Sequence, residues 1–167
     1  MTQNPDISAA NSEDIRDLQA LGNSHEAGYF ERCFEEQAAG KRLLFKVRQP
    51  DGRLGGYVIL NWHPRYQPFR RLNIPEIQDL FVAPDVRRQG IGEALVRECE
   101  RQALARGCTQ MGIAVGLHAG FGAAQRLYVR LGYVPDGAGV MYDRDAVHMG
   151  DMRIIDDDLT LMLVKDI

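Results

Sequence analysis

Apolar residues recur along this chain with two different periods, and the switches between them divide it into elements. Ile15, Leu18 and Leu21 follow Ser12-Glu13-Asp14 at spacing three, which predicts a helix opening at Ser12 with one apolar face. A second helical stretch covers roughly 24–39, carries Tyr29, Phe30, Cys33 and Phe34, and stops at Gly40. Leu43 to Val47 reads as a strand, Pro50-Asp51-Gly52 as a turn, and Leu54 to Trp62 as the returning strand of a hairpin. The segment 63-HPRYQPFRRLN-73 is basic and aromatic and is expected to be a solvated loop. In 75-PEIQDLFVAP-84 the alternation is partial. Ile77, Asp79 and Phe81 fall on one face and Glu76, Gln78, Leu80 and Val82 on the other, so this is expected to be a central strand.

Helical spacing returns from about Gly90 to Arg106. Ile91, Ala94, Leu95, Cys99 and Ala103 form its apolar stripe, Glu93, Arg97, Glu100 and Arg101 its wet face, and Gly107 its stop. Met111 to Val115 is a short apolar strand, Phe121 to Leu131 a helix ended by Gly132, Tyr133-Val134 the opening of a strand, and Leu159 to Val164 the last strand. Between the last two lies a long glycine-containing segment, 136–158, of the kind that is usually functional or mobile. The strand–helix–strand–helix series in the middle of the chain favours helices packed on a mixed sheet.

At 167 residues the chain is expected to be a single domain over 1–167, with residues 1–10 frayed. Its composition, 45% hydrophobic, is that of a soluble globular protein, and a net charge of -3 gives no general support to nucleic-acid binding. Cys33, Cys99 and Cys108 are irregularly spaced and read as reduced thiols, which points to the cytoplasm. His25, His63, His118 and His148 are isolated, so no zinc spacing is present and no metal is expected. The start of the chain lacks the pattern of a signal peptide, and no apolar run approaches the ~18 residues of a membrane helix, so no membrane association is expected.

The candidate chemistry sits at 82-VAPDVRRQGIGEAL-95, where an apolar strand gives way to two arginines, two glycines and a helix. The first turn of a helix carries N–H groups without intrahelical partners and about half a positive charge. Gly90 and Gly92 let an anion approach that backbone, and Arg87 and Arg88 add cations beside it, a combination suited to a phosphate or pyrophosphate. Two familiar phosphate loops do not fit. There is no GxxxxGK[ST], Leu95 stands where a dinucleotide fingerprint needs a small residue, and Gln110 stands where it wants an acid. A glycine-rich opening chosen only for tight packing would not call for paired arginines.

The string 87-RRQGIG-92 has the form [RQ]-x-x-G-x-[GA] after a strand and before a helix, and it resembles motif A of the GNAT N-acetyltransferase superfamily. The segment 123-AAQRLYVRLGYVPDG-137 is similar to that family's later helix and strand, and the resemblance runs from about residue 42 to the C-terminus. It implies an α/β (α+β) fold of GNAT type: a mixed, mostly antiparallel, six- to seven-stranded twisted sheet with helices on both faces and splayed central parallel strands. It implies an acetyl-CoA-dependent N-acetyltransferase acting by direct transfer to a primary amine of a small molecule or peptide, with a homodimer among the assemblies relatives form.

Residue by residue, the resemblance implies that backbone groups of Leu80, Phe81 and Val82 pair with the pantetheine, and that Arg87, Arg88, Gln89, Gly90, Ile91 and Gly92 hold the pyrophosphate. Tyr128 matches the family's tyrosine near the coenzyme sulfur; its ordinary pKa of about 10 suits it to protonate a departing thiolate. Glu76 matches a glutamate base of some members and Asp79 a polar residue near the acceptor, with His63 and His118 as alternatives for the base. Many members carry an asparagine where this chain has Phe121, after 116-GLHAG-120, so backbone groups or His118 are expected to take over that coenzyme contact. The aromatic and basic residues of 63–73 and a lid at 136–158 are further expectations for the acceptor side. A non-catalytic acyl-CoA-binding module, a nucleotide-binding reductase and a Cys99 or Cys108 nucleophile stay open as other readings of the same residues.

Overall fold

The computed structural model describes residues 5–22 and 25–167. Its elements run β1 (Asp6–Ala9), α1 (Ile15–Ala20), α2 (Tyr29–Ala38), β2 (Arg42–Arg48), β3 (Leu54–Asn61), α3 (Gln67–Leu72), β4 (Glu76–Val82), α4 (Ile91–Ala105), β5 (Gln110–Gly116), α5 (Gly122–Arg130), β6 (Val134–Tyr142), β7 (Asp145–Ala146) and β8 (Leu159–Asp166). The fold is mixed α/β with eight open, mostly antiparallel strands and one parallel pair. Among the described residues there are eight strands rather than six to seven, because two short edge strands, β1 and β7, add to the set. The chain forms two compact units, one of residues 1–62 and 77–102, the other of 63–76 and 103–167.

In the first unit the strands run β1-β2-β3-β4. Strand β3 is buried along its whole length, which is why its sequence is continuously apolar where an edge strand would alternate. Leu18, Phe30, Cys33, Leu44, Tyr57 and Ile59 make the core under it. The expected fraying of residues 1–10 does not hold at 6–9. These residues pair antiparallel with β2, from Asp6 opposite Arg48 to Ala9 opposite Phe45, and residues 1–4 lie outside the described part. The first helical turn is capped by Asn11 in place of the expected Ser12, in a reciprocal box with Asp14. Asp14 is buried and held by Lys46 at 2.5 Å and Arg48 at 2.9 Å. Burial alone would raise its pKa, but hydrogen bonds from Lys46 and Asn11 and the charges of Lys46 and Arg48 hold it below the usual carboxylate value. Residue 24, where the second helical stretch was expected to open, lies outside the described residues; α2 begins at Tyr29 behind a left-handed Gly28. In α4, Glu100 is buried where the stripe pattern placed it in water.

In the second unit the strands run β5-β8-β6-β7. Its core gathers Tyr66, Phe69, Ile74, Met141 and Met162. The expected solvated loop at 63–73 is therefore corrected: a Pro-initiated helix, α3, turns Phe69 inward, and Tyr66 is buried with its hydroxyl donating to Asp136 at 2.6 Å. The apolar payload of two aromatic rings outweighs the solvation of the basic side chains, which stay outside. Gly112 makes room for this packing, since a Cβ there would lie 2.2 Å from the Phe69 ring. Part of the expected 136–158 connection is also strand, as β6 runs on to Tyr142 and turns into β7.

Candidate active site

Strand β4 ends at Val82, and one short 3-10 turn, Pro84–Val86, leads into the loop before α4. Two residues of that loop take left-handed backbone, Arg88 at φ 63° and Gly90 at φ 83°. The Ala94 N–H bonds to the Gly90 carbonyl at 3.0 Å, so Gly90 caps α4 and the N–H groups of Ile91 and Gly92 lie in its first turn. Fifteen residues of α4 stand behind those groups, anchored by the buried Ile91, Leu95, Val96, Cys99 and Ala103. Arg88, Gln89 and Gly90 are exposed. Arg87 is exposed too, but its Nε donates to the Val82 carbonyl at 3.0 Å and ties the loop to the strand end. The residues present fit a diphosphate. They offer the N–H groups of Ile91 and Gly92 at the helix start, a helix dipole and the exposed cation of Arg88.

Before that loop β4 departs from simple alternation. Asp79 has φ 51° in the interior of the strand, so the two-face pattern breaks at that residue and its side chain stands exposed. Leu80, Phe81 and Val82 follow half-buried. Gly56 on β3 packs so closely on β4 that a Cβ would lie 2.4 Å from the Phe81 carbonyl, and the Ala83 N–H bonds to Gly55 at 2.9 Å. Around Asp79 stand two residues the sequence reading did not single out. The Tyr29 hydroxyl donates to the Asp79 carboxylate, and the His25 ring lies parallel on Tyr29, 3.7 Å between centroids. His25 Nε2 is 2.6 Å from the hydroxyl of the buried Tyr57. Burial lowers the His25 pKa, with the charge of Asp79 working against it. The one signal that could have found them is Tyr29-Phe30 at a helix start: Phe30 goes to the core, leaving Tyr29 on another flank.

The remaining predicted residues, Cys99 apart, lie in the second unit. Glu76 is wholly buried and accepts a 2.8 Å bond from Arg144. Arg144 and Asp143 form the two-residue turn between β6 and β7, both at positive φ, 71° and 47°, as such a hairpin requires. Tyr128 on α5 is buried against Tyr133, ring centroids 6.2 Å apart, and burial pushes its pKa up, so its hydroxyl keeps its proton throughout the neutral range. Phe121 sits over Gly116, where a Cβ would meet its ring at 2.3 Å, and edge-on to His118 at 4.9 Å. His118 Nδ1 accepts from the Gly120 N–H at 3.1 Å, which leaves the proton on Nε2, 2.7 Å from Asp157. The three arginines of 63–73 are locally engaged: Arg65 with Asp143 at 3.4 Å, Arg70 with the Pro64 carbonyl at 3.1 Å, and Arg71 with Gln67 at 3.3 Å. Cys99 is buried and its thiol pKa is raised by burial, which removes it as a nucleophile. No helix among the described residues is long and apolar enough to cross a membrane.

Comparison with known proteins gives this geometry a context. Residues 11–133 match the model of the acetyltransferase (GNAT) family. The chain is similar to an aminoglycoside N(6′)-acetyltransferase type 1 of Klebsiella aerogenes, 38% identical over 61 residues, which is 36% of this chain and 40% of that protein, so the match spans less than half the relative's length. Among solved structures, a phosphinothricin acetyltransferase from Sinorhizobium meliloti in complex with AcCoA superposes with a TM-score of 0.69 at 16% identity, covering 98% of this chain and 89% of that one. A spermidine/spermine N-acetyltransferase from Vibrio cholerae gives 0.69 at 16% identity, with 99% and 94% covered. At those identities the superpositions speak for the shared fold alone.

Proposed function

This chain belongs to the acetyltransferase (GNAT) family and is an acyltransferase, and from that premise we propose that it moves an acetyl group from acetyl-CoA to a primary amine. The observation that carries the reading is the junction of β4 and α4: a left-handed Arg88 and a left-handed Gly90 at the start of a fifteen-residue helix, built where a coenzyme pyrophosphate would be held. Leu80 to Val82 would align the pantetheine, and Arg88 to Gly92 would fix the diphosphate. Holding thioester and amine in attack geometry supplies up to ~7–11 kcal/mol of the barrier in favourable cases.

In the transfer the amine nitrogen attacks the thioester carbonyl, and the tetrahedral intermediate collapses with cleavage of the C–S bond. Tyr128 gives its proton to the departing sulfur; burial keeps its hydroxyl protonated at neutral pH, the state a donor must start from. The amine proton leaves to a carboxylate on β4. Asp79 is exposed, whereas Glu76 is sealed off and engaged by Arg144, which supports Asp79 as the group that meets the acceptor and Glu76 as the anchor of the β6–β7 turn. The acceptor would be a small-molecule amine or peptide, and the reaction as written needs no metal.

The test is turnover. Purified protein incubated with acetyl-CoA and spermidine, kanamycin, glutamate and an alanine-terminated peptide should release free thiol above the hydrolysis background with at least one amine, and calorimetry should show saturable acetyl-CoA binding. Absence of coenzyme binding would end the reading.

A further inference from the structure

We infer that two neighbouring stretches of the second unit, 143–158 and the basic residues 63–73 around α3, join this chain to a second copy of itself. Segment 143–158 of each copy lies on residues 63–73 of the other, so that the same contact is made twice about a two-fold axis. The family resemblance leaves the surface of any homodimer open, and these residues supply one. Such a contact is independent of the acetyl-transfer chemistry.

Large apolar side chains stand in water along the first of these stretches. Met149 and Met152 are 104% and 91% exposed, and Ile154 and Ile155 are 67% and 73% exposed. Every residue from 148 to 155 is exposed. Single exposed hydrophobes are ordinary, but several side by side form a patch of the kind that marks an interaction surface. The segment is nonetheless shaped. The His148 N–H donates to the Asp151 carboxylate at 2.9 Å, and the Asp151 N–H donates to the His148 carbonyl at 3.0 Å. Residues 151–155 then belong to no helix, strand or turn, so no element of the fold accounts for their apolar side chains. On α3, Phe69 goes to the core while Leu72 stays 66% exposed. That leucine is an apolar counterpart for the methionines and isoleucines.

Charge decides what covers the patch. Segment 143–158 carries Asp143, Asp145, Asp151, Asp156, Asp157 and Asp158 against only Arg144 and Arg153. Residues 63–73 carry Arg65, Arg70 and Arg71 and no acid. Arg70 and Arg71 are held by neutral groups, the Pro64 carbonyl at 3.1 Å and the Gln67 side chain at 3.3 Å, so both keep their charge for a partner. Asp156 is likewise held by the neutral Tyr142 hydroxyl at 2.8 Å. Two copies of 143–158 laid on each other would oppose like charges, whereas 143–158 laid on 63–73 opposes unlike ones. The two stretches are neighbours within one copy. Arg65 meets Asp143 at 3.4 Å, and the Asp143 N–H bonds to the Asp158 carbonyl at 3.1 Å. Adjacent patches of opposite sign let a two-fold axis pass between them and form both contacts at once. A specific interface takes about 20–30 residues a side, or about 800 Å². The exposed residues of 63–73 and 143–158 together come to about that number.

The experiment is sedimentation equilibrium of the full chain over about 1–100 μM. The wild type should form a species of twice 18.8 kDa. Ile154→Asp places a charge in the apolar patch and should raise the dimer Kd at least about 10-fold. Two charge-reversed proteins test the pairing itself. One carries Arg70→Glu and Arg71→Glu, the other Asp145→Lys and Asp158→Lys, and each alone should be monomeric because its two contacts now oppose like charges. Mixed together they should form a heterodimer, since both contacts then oppose unlike charges. All five side chains are exposed, so each variant should keep the wild-type Tm, which reports an intact fold. A wild type that stays monomeric at every concentration overturns the inference and leaves the patch to a different protein. A dimer whose Kd ignores Ile154→Asp and both reversals overturns it in favour of another surface. Reversed proteins that stay monomeric when mixed overturn the pairing of 143–158 with 63–73.

Discussion

Tyr128, the residue proposed to protonate the departing thiolate, shows how burial fixes a protonation state. Its hydroxyl is buried on α5, so desolvation disfavours the phenolate and the proton stays on until a strong base appears beside it. Tyr128→Phe keeps the packing and removes the proton. Turnover should fall by roughly 10²–10⁴-fold while acetyl-CoA affinity, read by calorimetry, stays within a factor of about two. The two carboxylates of β4 part ways at the same scale. Sequence spacing could not separate Glu76 from Asp79, because alternation gives a face and says nothing of depth. Their burial separates them: one wholly enclosed beside Arg144, the other exposed beside Tyr29.

At the scale of elements, two short turns carry most of the consequence. In the loop between β4 and α4 the cation of Arg88 stands beside the helix start, and Arg88→Glu should weaken acetyl-CoA binding by about 10- to 100-fold, measured by calorimetry, with Tm unchanged because the side chain is exposed. The β6–β7 turn is the opposite case. Two non-glycine residues sit there at positive φ, and Arg144 reaches from it to the buried Glu76. Arg144→Ala removes a cationic partner from a buried carboxylate and should cost about 3 kcal/mol in denaturant unfolding, the usual consequence of breaking a buried ion pair. This loop chemistry was legible in unequal measure. RRQGIG announced the first turn, since a glycine-rich strand-to-helix loop is set by local backbone chemistry. The second was invisible, since Asp143-Arg144 carries no glycine and its partner lies far away in sequence.

For the whole molecule, pH enters through His25. Its pKa in the folded state is lowered by burial, below an unfolded value of about 6.5. The unfolded chain therefore binds the proton more readily, and the stability tied to the neutral ring is fully present above about pH 6.5 and lost as pH falls through the folded value. Calorimetric Tm should drop between about pH 7.5 and 5.5 by more in the wild type than in His25→Gln. Acetyl-CoA should raise Tm at either pH, by the equivalent of about 2.7 kcal/mol at a hundredfold excess over Kd.

The strands β2 to β6 and β8, the helices α4 and α5 and the glycine-arginine junction between β4 and α4 were legible in the sequence alone, because period, turn residues and helix-start chemistry act over a few neighbouring positions. The tertiary structure decided the rest. It paired residues 6–9 with β2, turned Tyr66 and Phe69 of a basic segment into core, and set His25 and Tyr29 beside Asp79. Each of those outcomes depends on burial and on partners distant in the chain, and pairing energy of that kind leaves no period for a local reading to detect.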